Sequence, residues 1–189
     1  RRSVAAGSDA QTNGALALYT LQRDVASAGY GMNAQIGALG CEIKASKNGA
    51  AATYTLAPIV ITNGANGASD QIRTLSSAKM SFSLPTRIVE NHPRTAANFF
   101  VNTTMGIEDG DIMIAVPPAW STSNWCSLFN VTNSNTSGNQ PGGNGNGGGN
   151  NNGGGNSHIN HSPGSNGPWN QPGGQSIFPT AGYPAGSFL

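Results

Sequence analysis

The sequence predicts an α+β domain, one N-terminal helix packed on an antiparallel β-sheet and carrying a long Gly/Asn-rich loop. Three observations point there. Leu18, Leu21, Val25 and Ala28 recur at helical spacing and form one apolar stripe. Beyond Cys41 the apolar period changes from helical to two, in short runs parted by turn residues. Residues 138–155 read GNQPGGNGNGGGNNNGGG and hold no side chain that a core would bury.

The elements follow in order. Asp9 or Thr12 is positioned to cap the helix, and Gly29 or Gly31 to end it. Its stripe is expected to pack on the sheet. Thr53–Ile61 is rich in β-branched residues, 64–69 reads as a turn, and Ile72–Leu75 as a short strand. Met80, Phe82 and Leu84 alternate with Ser81 and Ser83. An acidic turn, Glu108-Asp109-Gly110-Asp111, leads into a strand at 112–116, and 125–132 alternates again. Prolines at 58, 85, 117 and 118 should mark strand ends or edges. The Gly/Asn stretch reads as a flexible loop, with tight Asn-Gly turns as the competing view. Apolar residues return after it at Trp169, Ile177, Phe178, Tyr183, Phe188 and Leu189, and are expected to pack back on the domain.

Charge is sparse and one-sided. The 189 residues hold nine Lys or Arg and eight Asp or Glu, for a net charge of +1. All lie at or before Asp111. So weak a field argues against a basic nucleic-acid binder. No apolar run reaches the roughly 18 residues that a membrane span requires. The amide- and hydroxyl-rich C-terminal half has the surface style of exported proteins.

Cys41 and Cys126 fit neither a zinc spacing nor a redox CxxC motif. In an oxidising compartment they pair; two buried free thiols are the alternative. His158 and His161 have H-x-x-H spacing, but no acid or cysteine stands near them in sequence, so no metal or cofactor is expected. Glu108, Asp109 and Asp111 offer too few ligands for calcium and read as a turn. No G-x-S-x-G occurs, and His92 has only Ser81 and Ser83 as nominal partners, so an enzyme is not expected. Asn102, Asn130 and Asn135 begin N-glycosylation sequons. Trp120, Trp125, Trp169 and Tyr183 suit sugar stacking or partner anchoring, against the plainer reading that Trp125 packs the core and Trp169 pins the tail.

One segment is more specific. Residues 15–31, ALALYTLQRDVASAGYG, resemble the L-x-R-D-x-x-x-A-G-Y-G stretch of PilW-type minor pilins of type IV pili. Gly40-Cys41, the Ala57–Ile61 and Gly67–Ile72 passage, Gly110–Ile114 and Cys126–Thr132 follow in that family's order. The resemblance spans about residues 10–132. It implies a pilin-like head with the C-terminal half of a long helix at 1–132, a low-complexity loop at 133–168 and a returning tail at 169–189. It also implies a fragment without the family's apolar half-helix, through which alone the protein would meet the inner membrane, and a tail cut short.

The implied function is structural: a minor pilin that primes pilus assembly and sits in the tip complex at the bacterial surface. Its partners would be other minor pilins, the major pilin and a possible tip adhesin. Arg23 and Asp24 become candidate subunit contacts, against the simpler reading of a locally paired surface. A type II secretion pseudopilin of the J type and an adhesion or glycan-binding module are the alternatives.

Overall fold

The structure, a computed structural model, describes residues 2–32, 36–77, 79, 85–135, 157–162, 167–170 and 177–189. Among these residues helix α1 (Arg2–Ser27) precedes nine strands: β1 (Glu42–Lys47), β2 (Ala50–Thr55), β3 (Ile59–Thr62), β4 (Gln71–Thr74), β5 (Asn98–Val101), β6 (Ile112–Ala115), β7 (Cys126–Asn130), β8 (Asn133–Asn135) and β9 (Ser157–Asn160). One helix with mostly antiparallel strands is an α+β architecture. The chain divides into two compact units, Arg1–Asn33 with Ala57–Met80, and Ala34–Leu56 with Ser81–Leu189.

The first unit holds α1 and the β3–β4 ribbon. The helix ends where glycine makes an end cheap: Gly29 takes φ +84°, and Tyr30 N–H donates to the Ser27 carbonyl at 3.1 Å. That terminus is pinned to the ribbon. Gly29 N–H donates to Leu75 O at 2.8 Å, and Ser77 N–H to Tyr30 O at 2.9 Å. A Cβ on Gly29 would lie 3.2 Å from the Pro58 ring. The turn expected at 64–69 joins β3 to β4, where Asp70 Oδ1 accepts from Gly64 N–H at 2.9 Å.

The expected helix start is corrected. Asp9 and Thr12 lie inside α1, which begins at Arg2. Thr12 Oγ1 donates back to the Ser8 carbonyl at 3.0 Å, the bond a mid-helix threonine makes when it does not cap.

The described residues of the second unit form two sheets. The larger runs β2-β1-β7-β6, with β1 and β7 parallel and the other pairs antiparallel. The smaller is antiparallel, in the order β5-β9-β8, with β8 and β9 at the two ends of the Gly/Asn stretch. Phe99 and Val101 of β5, Ala115 of β6, Phe129 of β7 and Ile159 of β9 meet Ile177, Phe178, Tyr183 and Leu189 in one core. The last residues complete it. Phe188 bridges Arg87 on one side and Val116 on the other, and Leu189 exchanges two backbone bonds with Thr86.

Cys41 and Cys126 form a disulfide that ties the entry of β1 to the start of β7, both fully buried. The alternating Met80–Leu84 segment and the glycine-rich run at 138–155 lie outside the described residues.

Candidate functional site

The helix stripe is the first candidate, and its burial is the main correction. Leu18, Leu21 and Val25 are 69%, 42% and 37% exposed, and Ala28 is half-buried. Spacing makes the face apolar; the β3–β4 ribbon of the same unit takes only the helix end and leaves the stripe uncovered. Leu16 and Tyr19 are exposed as well, on other faces of the helix, and Ile61 and Ile72, a directly paired cross-strand couple, are exposed on the ribbon. Arg23 is exposed, Asp24 is half-buried, and the two pair with each other at 3.8 Å. No helix among the described residues is long and apolar enough to cross a membrane.

A histidine pair in the second unit escaped the sequence reading. His92 Nε2 and His161 Nε2 lie 2.9 Å apart, and the two residues are 2% and 4% exposed. His92 stacks on Phe99 with centroids 3.8 Å apart; Phe129 and Phe178 close around His161. Two neutral imidazoles satisfy this geometry, one N–H donating to the other's lone pair. Burial pushes His92 down from 6.5 to about 4 and is the main cause for His161 too, which falls to about 3 with the charge of His92 adding to it. Backbone dipoles at His92 and Ala96 oppose the shift, yet His92 Nδ1 has no partner in hydrogen-bond geometry among the described residues.

The H-x-x-H spacing does not chelate. His158 lies in β9 and His161 just beyond it, so an offset of three points the two to opposite faces. Ile159 and His161 are buried in the core, whereas His158 is half-buried near Phe100. Among the described residues no three His, Cys, Asp or Glu side chains stand close enough to hold a metal.

The acidic segment is a turn held by its own carboxylates. Asp111 Oδ2 accepts from Glu108 N–H at 2.8 Å, and Asp109 Oδ1 from Ser134 N–H at 3.0 Å. Asn130 is buried and bonded on all sides, to Gly110 O, Trp169 N–H and both polar ends of the Asn170 amide. Its sequon is therefore closed to glycosylation in the folded chain. Ser81 and Ser83, the nominal partners of His92, lie outside the described residues.

Beside the histidine pair lies a cleft of about 800 Å³, walled by residues 91–93, 123–125 and 180–184. Trp125 is fixed there: its indole N–H donates to Ile177 O at 2.7 Å, and Lys44 Nζ sits 3.4 Å from its ring centroid. Tyr183 is buried, and its hydroxyl donates to Ser127 Oγ or Trp125 O at 2.7 and 2.9 Å. Burial pushes that phenol well above its usual range, partly opposed by the bond to Ser127. Comparison with protein-family models, curated proteins and solved structures finds no match to the chain.

Proposed function

We propose that the chain is a non-catalytic filament subunit, a minor pilin that helps prime a type IV pilus and resides in its tip complex. The observation that carries this reading is the uncovered apolar stripe of α1. A 26-residue helix displaying Leu16, Leu18, Tyr19, Leu21 and Val25 to solvent has hydrophobic surface left over for a partner. The filament reading supplies that partner as the helices of neighbouring subunits.

Two further features support it. The quoted motif coincides with a structural joint, because Gly29-Tyr30-Gly31 is where the helix stops and docks on the β3–β4 ribbon. The buried disulfide suits a head that folds and works outside the cytoplasm. In this reading the subunit does its work by association: helix contacts below, head contacts above, at the bacterial surface.

The test is deletion of the gene in the source bacterium, with pili sheared and counted and the remaining minor pilins assayed for co-purification. Loss of pili, or of the minor-pilin complex, is expected. Unchanged piliation and complex composition overturn the reading. Retained pili with lost type II secretion would move the subunit to a pseudopilus.

A further inference from the structure

We propose that the cleft beside Trp125 binds a neutral oligosaccharide. This does not depend on the filament reading, because every wall residue belongs to the second unit.

The argument starts from the hydrogen bonds the wall has already used. Asn91 Oδ1 accepts from Ala185 N–H at 2.9 Å, so its amide NH₂ is the end left for a ligand. Asn124 is engaged the other way: Nδ2 donates to Ala119 O at 2.8 Å, leaving its oxygen as an acceptor. Thr180, also lining the cleft and exposed, adds a hydroxyl that both donates and accepts. Trp125 contributes an indole ring whose N–H is already bonded and one face of which carries the Lys44 ammonium, itself paired with Glu42, so the face away from Lys44 is the apolar surface it offers.

The cleft thus offers a donor, an acceptor, a hydroxyl and an immobilised aromatic ring. Among the described residues no Asp, Glu, Lys or Arg lines it, although Lys44 sits over the Trp125 ring and Glu90 and Arg94 flank its wall in sequence. A ligand matching that set carries groups that donate and accept at once, has apolar C–H faces to lay against the indole, and has no charge. A neutral sugar has all three. A carboxylate, phosphate or ammonium finds no counter-charge among the lining residues, Lys44 beyond them being paired with Glu42 at 3.7 Å, and a purely apolar ligand strands the two amides. The volume suits two or three sugar rings and falls within the ordinary range for small-ligand sites.

The experiment applies the oxidised, disulfide-bonded chain to an array of neutral and acidic oligosaccharides. The tightest neutral glycan is then titrated by calorimetry and followed in ¹H–¹⁵N spectra through the indole N–H signal of Trp125. Retention of neutral glycans is expected, with that signal shifting on titration. Asn91→Asp keeps the bond to Ala185 and removes the donor, and Thr180→Val removes the hydroxyl at constant shape. Each is expected to weaken binding about fivefold, the worth of one net hydrogen bond. Retention of acidic glycans alone, retention of none, a Trp125 signal that does not move, or full affinity in both variants overturns the proposal.

Discussion

His92 and His161 share a hydrogen bond of 2.9 Å across 69 positions of sequence, inside a shell of phenylalanine rings. A native state built on two neutral imidazoles has a definite acid response. The unfolded chain takes up protons near pH 6.5, whereas the folded pair resists until about 4 for His92 and about 3 for His161. Both native values are depressed, so the stabilisation is complete above pH 6.5 and is lost as pH falls through 6.5 toward 4. Each imidazole contributes a slope of up to about 1.4 kcal/mol per pH unit in that window. Urea unfolding at pH 7.5, 5.5 and 4.5 measures it. The double variant His92→Phe, His161→Phe is expected to flatten the dependence, leaving what the carboxylates contribute.

Gly182 sits against the same histidine. Its φ is +73°, and a Cβ there would lie 2.1 Å from the His92 carbonyl oxygen. That oxygen is backbone in an antiparallel bridge with Tyr183, so it cannot swing aside. Gly182→Ala is expected to cost at least about 2 kcal/mol, combining left-handed strain with displacement of the bridge. Denaturant midpoints of the two proteins check this.

Asn130 is expected to behave as a structural clasp. Asn130→Ala removes the amide that bonds Gly110 O and Trp169 N–H, leaving a carbonyl and an amide of the backbone without those partners. The expected loss is about 2 kcal/mol, and protease cleavage near 167–170 should accelerate.

The disulfide closes a separation of 85 residues. Removing it by Cys41→Ser with Cys126→Ser should cost about 2–5 kcal/mol, because the unfolded chain regains the entropy of an open loop. Unfolding with and without a reductant gives the same comparison in the unaltered chain. An Ellman assay of oxidised, denatured protein should find no free thiol.

How much of this was legible depends on how local each signal is. The helix end was legible because Gly29 lies where the periodic stripe stops, and β6 and β7 because their apolar runs follow turn residues. The helix start was not: a polar side chain seven or more residues inside α1 looks like a cap when the stripe begins late. Strand β5 has four residues, and its partner β9 follows the Gly/Asn stretch, so nothing in its neighbourhood announces the pairing. The histidine pair was invisible for the same reason. H-x-x-H drew attention to the wrong combination, since His161 pairs with His92 and His158 does not join it. Periodicity established that one face of α1 is apolar; it carried no information on whether this chain covers that face.

The most direct test therefore falls on that face. Leu18→Glu with Leu21→Glu, introduced into the protein in its source organism, alters exposed positions and should leave the disulfide-bonded second unit folded. The account predicts that the variant disappears from the sheared filament fraction and from the minor-pilin complex while its cellular level is maintained. Recovery of the variant in filaments at the unaltered level would contradict it.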